Sequence, residues 1–207
     1  MDEDKNYDWA LGYWITLHTI AAAYKNRNIR PYLIDWIKKI LHNLRCNKCI
    51  AHALEYLEKY PIEKAENPLI WTIDLHNAVN RRLGKSELTH DQAMNIIYNC
   101  KYEGGKWSKG LFDVMHITAI WAQDKSSHFF STWVELVFDK IPCPKFKAKS
   151  LAYAENHPPS NSLDDFSWSF HYHNAMNAES GKPHMDYNSV KLMYNGGNIK
   201  PCETCGK

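Results

Sequence analysis

Residues 76–85 read HNAVNRRLGK, and residues 173–182 read HNAMNAESGK. Six of the ten positions are identical, and the two stretches lie 97 residues apart (173 minus 76). When residues 36–85 are placed over residues 133–182 without a gap, fifteen of the fifty pairs are identical. Unrelated sequences of average composition would share roughly three. The chain therefore contains an internal duplication.

The identical pairs run through the whole repeat and not only through its last ten residues. They include Trp36/Trp133, Cys46/Cys143, Tyr56/Tyr153, Pro61/Pro158 and Trp71/Trp168. An offset of one further residue places ITLHTIAA over DVMHITAI and pairs His18 with His116. Between the copies lies KYEGGKWSKG (residues 101–110), where two glycines flanked by lysines predict a linker.

The spacing of apolar residues within a copy predicts helices and no strands. Three stripes with helical spacing follow one another: Leu11, Trp14, Ile15 and His18; Leu33, Ile37, Ile40, Leu41 and Leu44; Ile50, Ala53, Leu54 and Leu57. A fourth helix should begin near Asn67 and Pro68 and end around Gly84, and a short fifth should begin near Thr89 or His90. We therefore predict an all-α fold made of two tandem helical bundles, each of four helices plus a short fifth.

The composition is that of an ordinary globular chain, with 44% hydrophobic and 23% charged residues over 207 positions. A formal net charge of +2 argues against a nucleic-acid-binding face, and no apolar stretch reaches the length of a membrane span. The N-terminus, MDEDKNYDWA, has the character of neither a signal peptide nor a transit peptide. We therefore expect a cytoplasmic protein. Its eight tryptophans and twelve tyrosines suit either an aromatic core or a planar cofactor.

The CNKC stretch at residues 46–49 follows one helical stripe and opens the next. Cys46 and Cys49 are therefore predicted at a helix N-terminus, where unpaired N–H groups and Lys48 favour a thiolate. The spacing also allows the two sulfurs to close a small disulfide ring. His52 lies three residues after Cys49, on the same helical face.

A second CxxC, CETC, stands at the end of the chain, so the two pairs suggest either zinc ligands or redox chemistry. The second copy of the repeat favours redox chemistry. It keeps Cys143 but has Phe146 where the first copy has Cys49. We therefore assign no metal site.

The quoted stretch places polar side chains on the inner side of a helix. His76 and Asn80 are one turn apart, with Asn77 beside them. Such groups are costly to bury unless they are paired. They either form a satisfied polar network in the core or surround a planar ligand rich in hydrogen-bonding groups. Trp14 and His18, at positions i and i+4 of another helix, could stack against that ligand.

Three motifs in this order resemble the Erv/ALR family of FAD-dependent sulfhydryl oxidases: WITLHTIAAAY, CNKCIAH and WTIDLHNAVNRRLGK. The resemblance covers residues 11–98. It implies a four-helix bundle with a short fifth helix, holding FAD at one end beside the CxxC pair. An oxidising activity without a signal peptide suggests a virus-encoded or a mitochondrial-type enzyme, and the compact, duplicated chain favours a large DNA virus. The host cytoplasm or the virion is then the expected location.

The resemblance also implies the roles of individual residues. Cys49 would face the flavin, and Cys46 would exchange with the dithiol of a protein substrate, with electrons passing to dioxygen to give hydrogen peroxide. Cys202 and Cys205 would shuttle electrons from substrates, unless they merely lie close together in a disordered tail. The FAD site would be lined by Trp14, His18, Tyr24, His52, His76, Asn77, Asn80 and Lys85.

In the second copy the resemblance is weaker, because several of the family residues are replaced. Phe112, Phe146 and Lys149 stand where the first copy has Trp14, Cys49 and His52. A domain without a cysteine pair cannot cycle a dithiol by this route. The remaining family residues, which hold either a second FAD or a polar helix network, are Trp168, His173, Asn174, Asn177 and Lys182.

We expect residues 1–103 to form the catalytic domain, residues 104–196 a degenerate copy, and residues 197–207 a flexible tail. Domains of this family pair as dimers through helix faces. The second copy is therefore predicted to be the built-in dimer partner of the first, giving an intramolecular pseudo-dimer that could associate into a further homodimer. The competing interpretation is a helical interaction module without catalysis, stabilised by zinc or binding flavin.

Overall fold

The computed structural model describes residues 9–99, 106–125, 128–162 and 164–195, and within these ranges the secondary structure is entirely helical. The first copy contains α1 (Ala10–Ala22), α2 (Leu33–Leu41), α3 (Asn47–Lys59), α4 (Pro68–Arg82) and α5 (His90–Asn99). The second copy contains α6 (Lys106–Ala122), α7 (Phe129–Asp139), α8 (Pro144–Asn156), α9 (Asp165–Glu179) and α10 (Tyr187–Asn195). The all-α prediction is confirmed, and five α-helices in each copy agree with the predicted tandem bundles. The fifth helix of the first copy, with 10 residues, is however not its shortest, because α2 has 9.

The predicted tail with Cys202 and Cys205 and the first half of the predicted linker, residues 101–105, lie outside the described residues. The second half, residues 106–110, is not a linker but the first part of α6. The boundaries at residues 103 and 196 therefore stay predictions. Among the helices of the described ranges, none is both long enough and apolar enough to cross a membrane.

The ends of α4 show why the quoted stretch recurs. The Asn67 side chain caps the helix by accepting the N–H of Leu69 at 3.0 Å, and proline occupies the first turn. At the other end Gly84 has φ +66°, a left-handed conformation that favours glycine. This lets the N–H of Lys85 reach back to the carbonyl of Asn80 at 2.9 Å.

The second copy ends α9 in the same way. Gly181 has φ +65°, and the N–H of Lys182 donates to the carbonyl of Asn177 at 2.8 Å. One helix-terminating turn in each copy therefore explains the repeated glycine. The turn uses only backbone atoms of the repeated Asn and Lys, so it does not account for their side chains.

The two copies pack against each other along α1 and α6, with further contacts between α1 and α7 and between α2 and α6. Two glycines allow the close approach. A Cβ atom added to Gly12 would lie 2.3 Å from the carbonyl oxygen of Trp107, and one added to Gly110 would lie 1.9 Å from the carbonyl oxygen of Trp9. The apolar core continues across this contact, with Trp36 and Trp133 fully buried. The packing agrees with the predicted pseudo-dimer.

Candidate active site

A cavity of about 570 Å³ lies between α1, α3, α4 and the loop that follows α4. Much of its wall is apolar and includes Trp9, Leu17, Leu41, Leu44, Leu75 and Val79. Seven residues singled out from the sequence also line it: Trp14, Cys46, Cys49, His52, His76, Asn80 and Lys85. Helices that are separate in sequence therefore bring the CxxC pair and the predicted ligand-binding residues to one place.

The CxxC pair lies at the start of α3, as predicted. Cys46 is the N-cap residue, with φ −134° and ψ 115°, and its Sγ accepts the N–H of Cys49 at 3.2 Å. Cys46 is only 3% exposed, whereas Cys49 is half-buried. Lys48, between them, lines the same cavity. The turn thus presents both sulfurs to the cavity at a helix N-terminus.

A relay of side chains supports the cavity from behind. The Thr72 hydroxyl donates to the carbonyl of Leu69 at 2.8 Å, so toward Nδ1 of His18, at 2.9 Å, it acts as an acceptor. Nε2 of His18 then accepts from Nδ1 of His76 at 3.0 Å. This order of donors fixes the tautomer of both rings. His76, which lines the cavity, keeps Nε2 as an unprotonated acceptor.

Both histidines are neutral at neutral pH. Burial, and then the neighbouring His76, lowers the pKa of His18 to about 3. Burial, and then the charge of Lys85, lowers the pKa of His76 to about 4. The indole of Trp14 lies parallel to the His76 ring, with centroids 4.0 Å apart and an interplanar angle of 5°. The wall therefore contains a flat, uncharged aromatic surface with one acceptor nitrogen.

The loop after α4 is held by Asn77. Its side-chain amide donates to the carbonyl of Leu88 at 2.9 Å, and its oxygen accepts the N–H of Leu88 at 2.7 Å. This two-point contact fixes the segment that carries Lys85 and Ser86 to the cavity wall. Asn77 itself does not line the cavity, so its effect on the site is through this loop.

The structure keeps two other predicted site residues off the cavity wall. His18 is fully buried behind His76, and Tyr24 is half-buried beyond the end of α1. Arg82, in contrast, lines the cavity together with His52, Lys48 and Lys85, and the sequence analysis did not single it out. Burial, and then the charge of Arg82, lowers the pKa of His52. The missed signal was the charge reversal between Arg82 and its counterpart Glu179 in the second copy.

The second copy keeps the relay but changes what stands in front of it. Ser169, His116 and His173 are joined by contacts of 2.9 Å each, and Ser169 donates to Phe166 as Thr72 does to Leu69. Phe112 replaces Trp14 and stacks on His173 with centroids 3.6 Å apart.

Two further differences lie at the place that corresponds to the CxxC pair and the cavity rim. The ring of Phe146, at the position of Cys49, meets Trp107 edge-on at 5.2 Å and Phe112 at 6.2 Å. Lys149 and Glu179, which correspond to His52 and Arg82, form an ion pair with each other. Thus Phe146 packs against aromatic rings at the position of the Cys49 thiol. An ion pair between side chains occupies the positions of His52 and Arg82.

Within the described parts of the chain, no three His, Cys, Asp or Glu residues lie close enough together to hold a metal ion. A zinc site at CNKC would therefore need ligands from outside the described residues, for example from the CETC pair.

Fold and site together define a helical-bundle protein with a CxxC pair at an aromatic cavity rimmed by cations. The sequence model of the Erv1 / Alr family matches residues 11–99, which are those of the first copy. The chain belongs to the Erv1/Alr family.

Several curated relatives have names that agree with this family. A FAD-linked sulfhydryl oxidase of African swine fever virus (isolate Warthog/Namibia/Wart80/1980) is 32% identical over 93 residues, covering 42% of this chain and 78% of the relative. A probable FAD-linked sulfhydryl oxidase, R368, of Acanthamoeba polyphaga mimivirus is 31% identical over 99 residues, covering 43% and 68%. The FAD-linked sulfhydryl oxidase ERV1 of Arabidopsis thaliana is 28% identical over 102 residues, covering 46% and 48%. No solved structure matches the chain.

Proposed function

We propose that this chain is a FAD-linked thiol oxidase that forms disulfide bonds in protein substrates and passes the electrons to dioxygen, giving hydrogen peroxide. The observation that carries the proposal is the meeting of Cys46 and Cys49 with the stacked rings of Trp14 and His76 on one cavity. The names of the viral and plant relatives support the same reaction.

The residues of the cavity fit FAD. The flat surface formed by Trp14 and His76 suits an aromatic ring system, and Nε2 of His76 and the amide of Asn80 supply an acceptor and a donor–acceptor pair. Lys48, Arg82 and Lys85 place positive charge where a diphosphate can bind. FAD held by these residues would supply a two-electron acceptor for a dithiol and a two-electron donor for dioxygen.

The cysteine pair carries out thiol–disulfide exchange with the substrate. A substrate thiolate attacks the Sγ of Cys46 in the oxidised pair, forming a mixed disulfide and releasing the Cys49 thiolate. The second substrate thiolate then attacks the substrate sulfur of that mixed disulfide. The substrate leaves with its new disulfide, and Cys46 and Cys49 remain as a dithiol holding the two electrons.

The division of labour between the two cysteines follows the family resemblance. Cys46 is the more buried of the two, so its assignment as the sulfur that meets the substrate rests on the resemblance and not on exposure. In the proposed roles Cys49 is the sulfur nearer to the ligand. His18, Asn77 and Tyr24 do not line the cavity: His18 orients His76, Asn77 holds the Leu88 loop, and Tyr24 keeps its family-based assignment to the FAD site as a proposal.

Purification and oxygen uptake test the function. The full chain should be yellow, should consume oxygen with dithiothreitol, and should release hydrogen peroxide. A colourless protein with stoichiometric zinc would support the interaction-module alternative and exclude the oxidase. A yellow protein without dithiol-dependent oxygen uptake would indicate a flavin-binding scaffold.

For the tail, we propose that Cys202 and Cys205 pass electrons from protein substrates to Cys46. The double variant Cys202→Ser/Cys205→Ser should lose activity toward a reduced protein substrate while keeping its activity toward dithiothreitol, a small dithiol that can reach Cys46 directly. Equal activity of the variant and the parent toward both substrates would exclude a shuttle.

A further inference from the structure

The turn between α2 and α3 is tied to the second copy by a buried ion pair. The guanidinium of Arg45, the residue before Cys46, binds both carboxylate oxygens of Asp113 on α6. The Nη2 to Oδ1 distance is 2.5 Å. The side chains of Arg45 and Asp113 are only 13% and 1% exposed. The residue that leads into the CxxC pair is therefore fixed by the other half of the chain.

Two tyrosines complete this network. The hydroxyl of Tyr194 on α10 donates to Oδ1 of Asp113 at 2.7 Å, and burial and then the charge of Asp113 raise the pKa of that tyrosine. The hydroxyl of Tyr13 on α1 donates to the carbonyl of Asn43, in the same turn, at 3.2 Å. Burial alone would lower the pKa of Arg45. The hydrogen bonds and charge of Asp113 outweigh the effect of burial, so the pKa of Arg45 is raised.

The ion pair is not part of what the two copies share. The residue that corresponds to Arg45 in the second copy is Pro142, and the one that corresponds to Asp113 in the first copy is Ile15. Each copy thus supplies one charge that the other lacks. The second copy therefore holds the cysteine turn of the first by an ion pair, and the counterparts Ile15 and Pro142 cannot form the reciprocal one.

Stability alone is a weak reason for such a pair. A buried carboxylate and guanidinium lose hydration, and replacement of a buried ion pair by apolar side chains is often neutral or stabilising. What the pair adds is geometry, because the planar fork of arginine bound to two carboxylate oxygens permits few orientations. Apolar residues at positions 45 and 113, like their counterparts Pro142 and Ile15, would cover the same surface without fixing the turn.

We propose that Asp113 is a positioning residue for the thiol oxidase site: by holding Arg45 it fixes the turn before α3 and keeps Cys46 Sγ in its place at the helix N-cap. The second copy then acts on the chemistry of the first and does more than cover its apolar face. This inference rests on the proposed function only where turnover is concerned.

The discriminating variant is the double replacement Arg45→Met/Asp113→Leu, made in the full chain. It removes both charges together, so no unpaired charge stays buried, and it keeps apolar volume at both places. A matched control is Asn28→Ala, which deletes another hydrogen bond between the copies, from Asn28 Nδ2 to Thr132 Oγ1 at 3.0 Å, away from the cysteine turn. Melting temperature and flavin absorbance show whether each variant folds.

With the turn loosened, we expect kcat for dithiothreitol to fall about tenfold with KM and flavin content unchanged, since small misplacements of reacting groups are costly. The equilibrium of the Cys46–Cys49 pair with glutathione should also shift about tenfold toward the dithiol, because the two sulfurs are less well held together. Asn28→Ala should leave both quantities unchanged. Wild-type values of both in the double variant would overturn the proposal.

Arg45→Lys covers the case in which the double variant does not fold. Lysine keeps the charge beside Asp113 but lacks the planar, two-point guanidinium. We therefore expect kcat for dithiothreitol to fall, and the glutathione equilibrium to shift toward the dithiol, by about threefold each. No change in either quantity would contradict the positioning role of Asp113. If the parent protein neither binds flavin nor consumes oxygen, the proposed function fails by itself. The glutathione equilibrium still tests Asp113 in that case, because it requires no flavin.

Discussion

The two copies use the same internal framework for different ends. Both contain a hydroxyl–histidine–histidine relay with contacts of 2.9 to 3.0 Å, and both close the following helix with glycine in a left-handed conformation. In front of this framework the first copy has a cavity with two cysteines, and the second has Phe146 packed against Phe112 and Trp107. The relay therefore serves the fold in either setting, and the chemistry depends on a few residues placed before it.

Several of the repeated residues have structural roles that both copies keep. The histidine belongs to the relay, the first asparagine holds a loop, and the glycine permits the helix-terminating turn. In the first copy His76, Asn80 and Lys85 also line the cavity. The cavity residues at which the two copies differ include Trp14, Cys49 and His52, outside the repeated stretch, and Arg82 within it.

The largest expected difference between the copies is in their cysteines. Cys49→Ser should reduce dithiol-dependent oxygen uptake to the background rate while flavin stays bound, because one sulfur cannot form the intramolecular disulfide. Cys143→Ser, the same replacement at the cysteine that the second copy retains in the position of Cys46, should leave turnover unchanged. Oxygen-electrode rates and flavin absorbance measure both. Surviving turnover in Cys49→Ser would refute the assigned pair.

A second expected difference is in flavin binding. Because Phe146 packs where the first copy has its cavity, we expect one FAD per chain, measured as the ratio of flavin to protein absorbance. His76→Ala should weaken FAD binding about tenfold or more, since it removes a stacking partner and an acceptor.

The matched variant His173→Ala separates ligand binding from folding. It breaks the equivalent relay in the second copy, so its melting temperature should fall about as far as that of His76→Ala, yet its flavin content should not change. Two flavins per chain, or equal loss of flavin in both variants, would mean that the second copy also binds the cofactor.

The sequence predicted the helices and much of the site because both depend on local patterns. Helical spacing located the stripes, Asn67 and Pro68 marked the start of α4, and Gly84 marked its end. The position of Cys46 at the start of α3 followed from the same spacing.

What the sequence did not predict depends on contacts between distant residues. The ion pair of Arg45 and Asp113 joins positions 68 residues apart, and neither residue belongs to a motif. Arg82 was missed because a charge at the end of a helix is usually exposed to solvent and gives no local signal of a cavity. The sequence could not place His18 behind His76, because its position depends on how α1 packs against α4.

The relays predict a pH dependence that both copies share. The pKa of His18 is about 3, that of His76 about 4 and that of His173 about 3, mainly because of burial, and burial also lowers that of His116. The unfolded chain therefore binds more protons than the folded one below pH 6.5. Stability from these groups is complete above that pH and is lost as the pH falls toward 4.

Each such histidine should lower the free energy of unfolding by about 1.4 kcal/mol per pH unit as the pH falls from roughly 6 to 5. Urea unfolding at several pH values measures the total slope. The variant His116→Gln/His173→Gln should remove about half of the part due to the relays, and it leaves the first copy intact. An unchanged slope would show that these rings already titrate near their usual pKa in the folded protein.

The smallest expected difference concerns two tryptophans at matching positions. Trp36 donates from Nε1 to the hydroxyl of Thr118 across the copies at 2.8 Å, whereas Nε1 of the equally buried Trp133 has no hydrogen-bond partner among the described residues. The residue that corresponds to Thr118 in the first copy is Ile20, which offers no acceptor. The same ring is thus satisfied in one copy and unsatisfied in the other.

Trp36→Phe and Trp133→Phe remove the same volume from two fully buried sites, so their costs should differ mainly by one hydrogen bond. We expect Trp36→Phe to lower the free energy of unfolding by about 1 kcal/mol more than Trp133→Phe, as determined by urea unfolding. Thr118→Val should reproduce that increment without changing the ring. Equal costs for the two tryptophans would mean that the contact between Trp36 and Thr118 adds nothing to the pairing of the copies, and that packing along α1 and α6 holds them together.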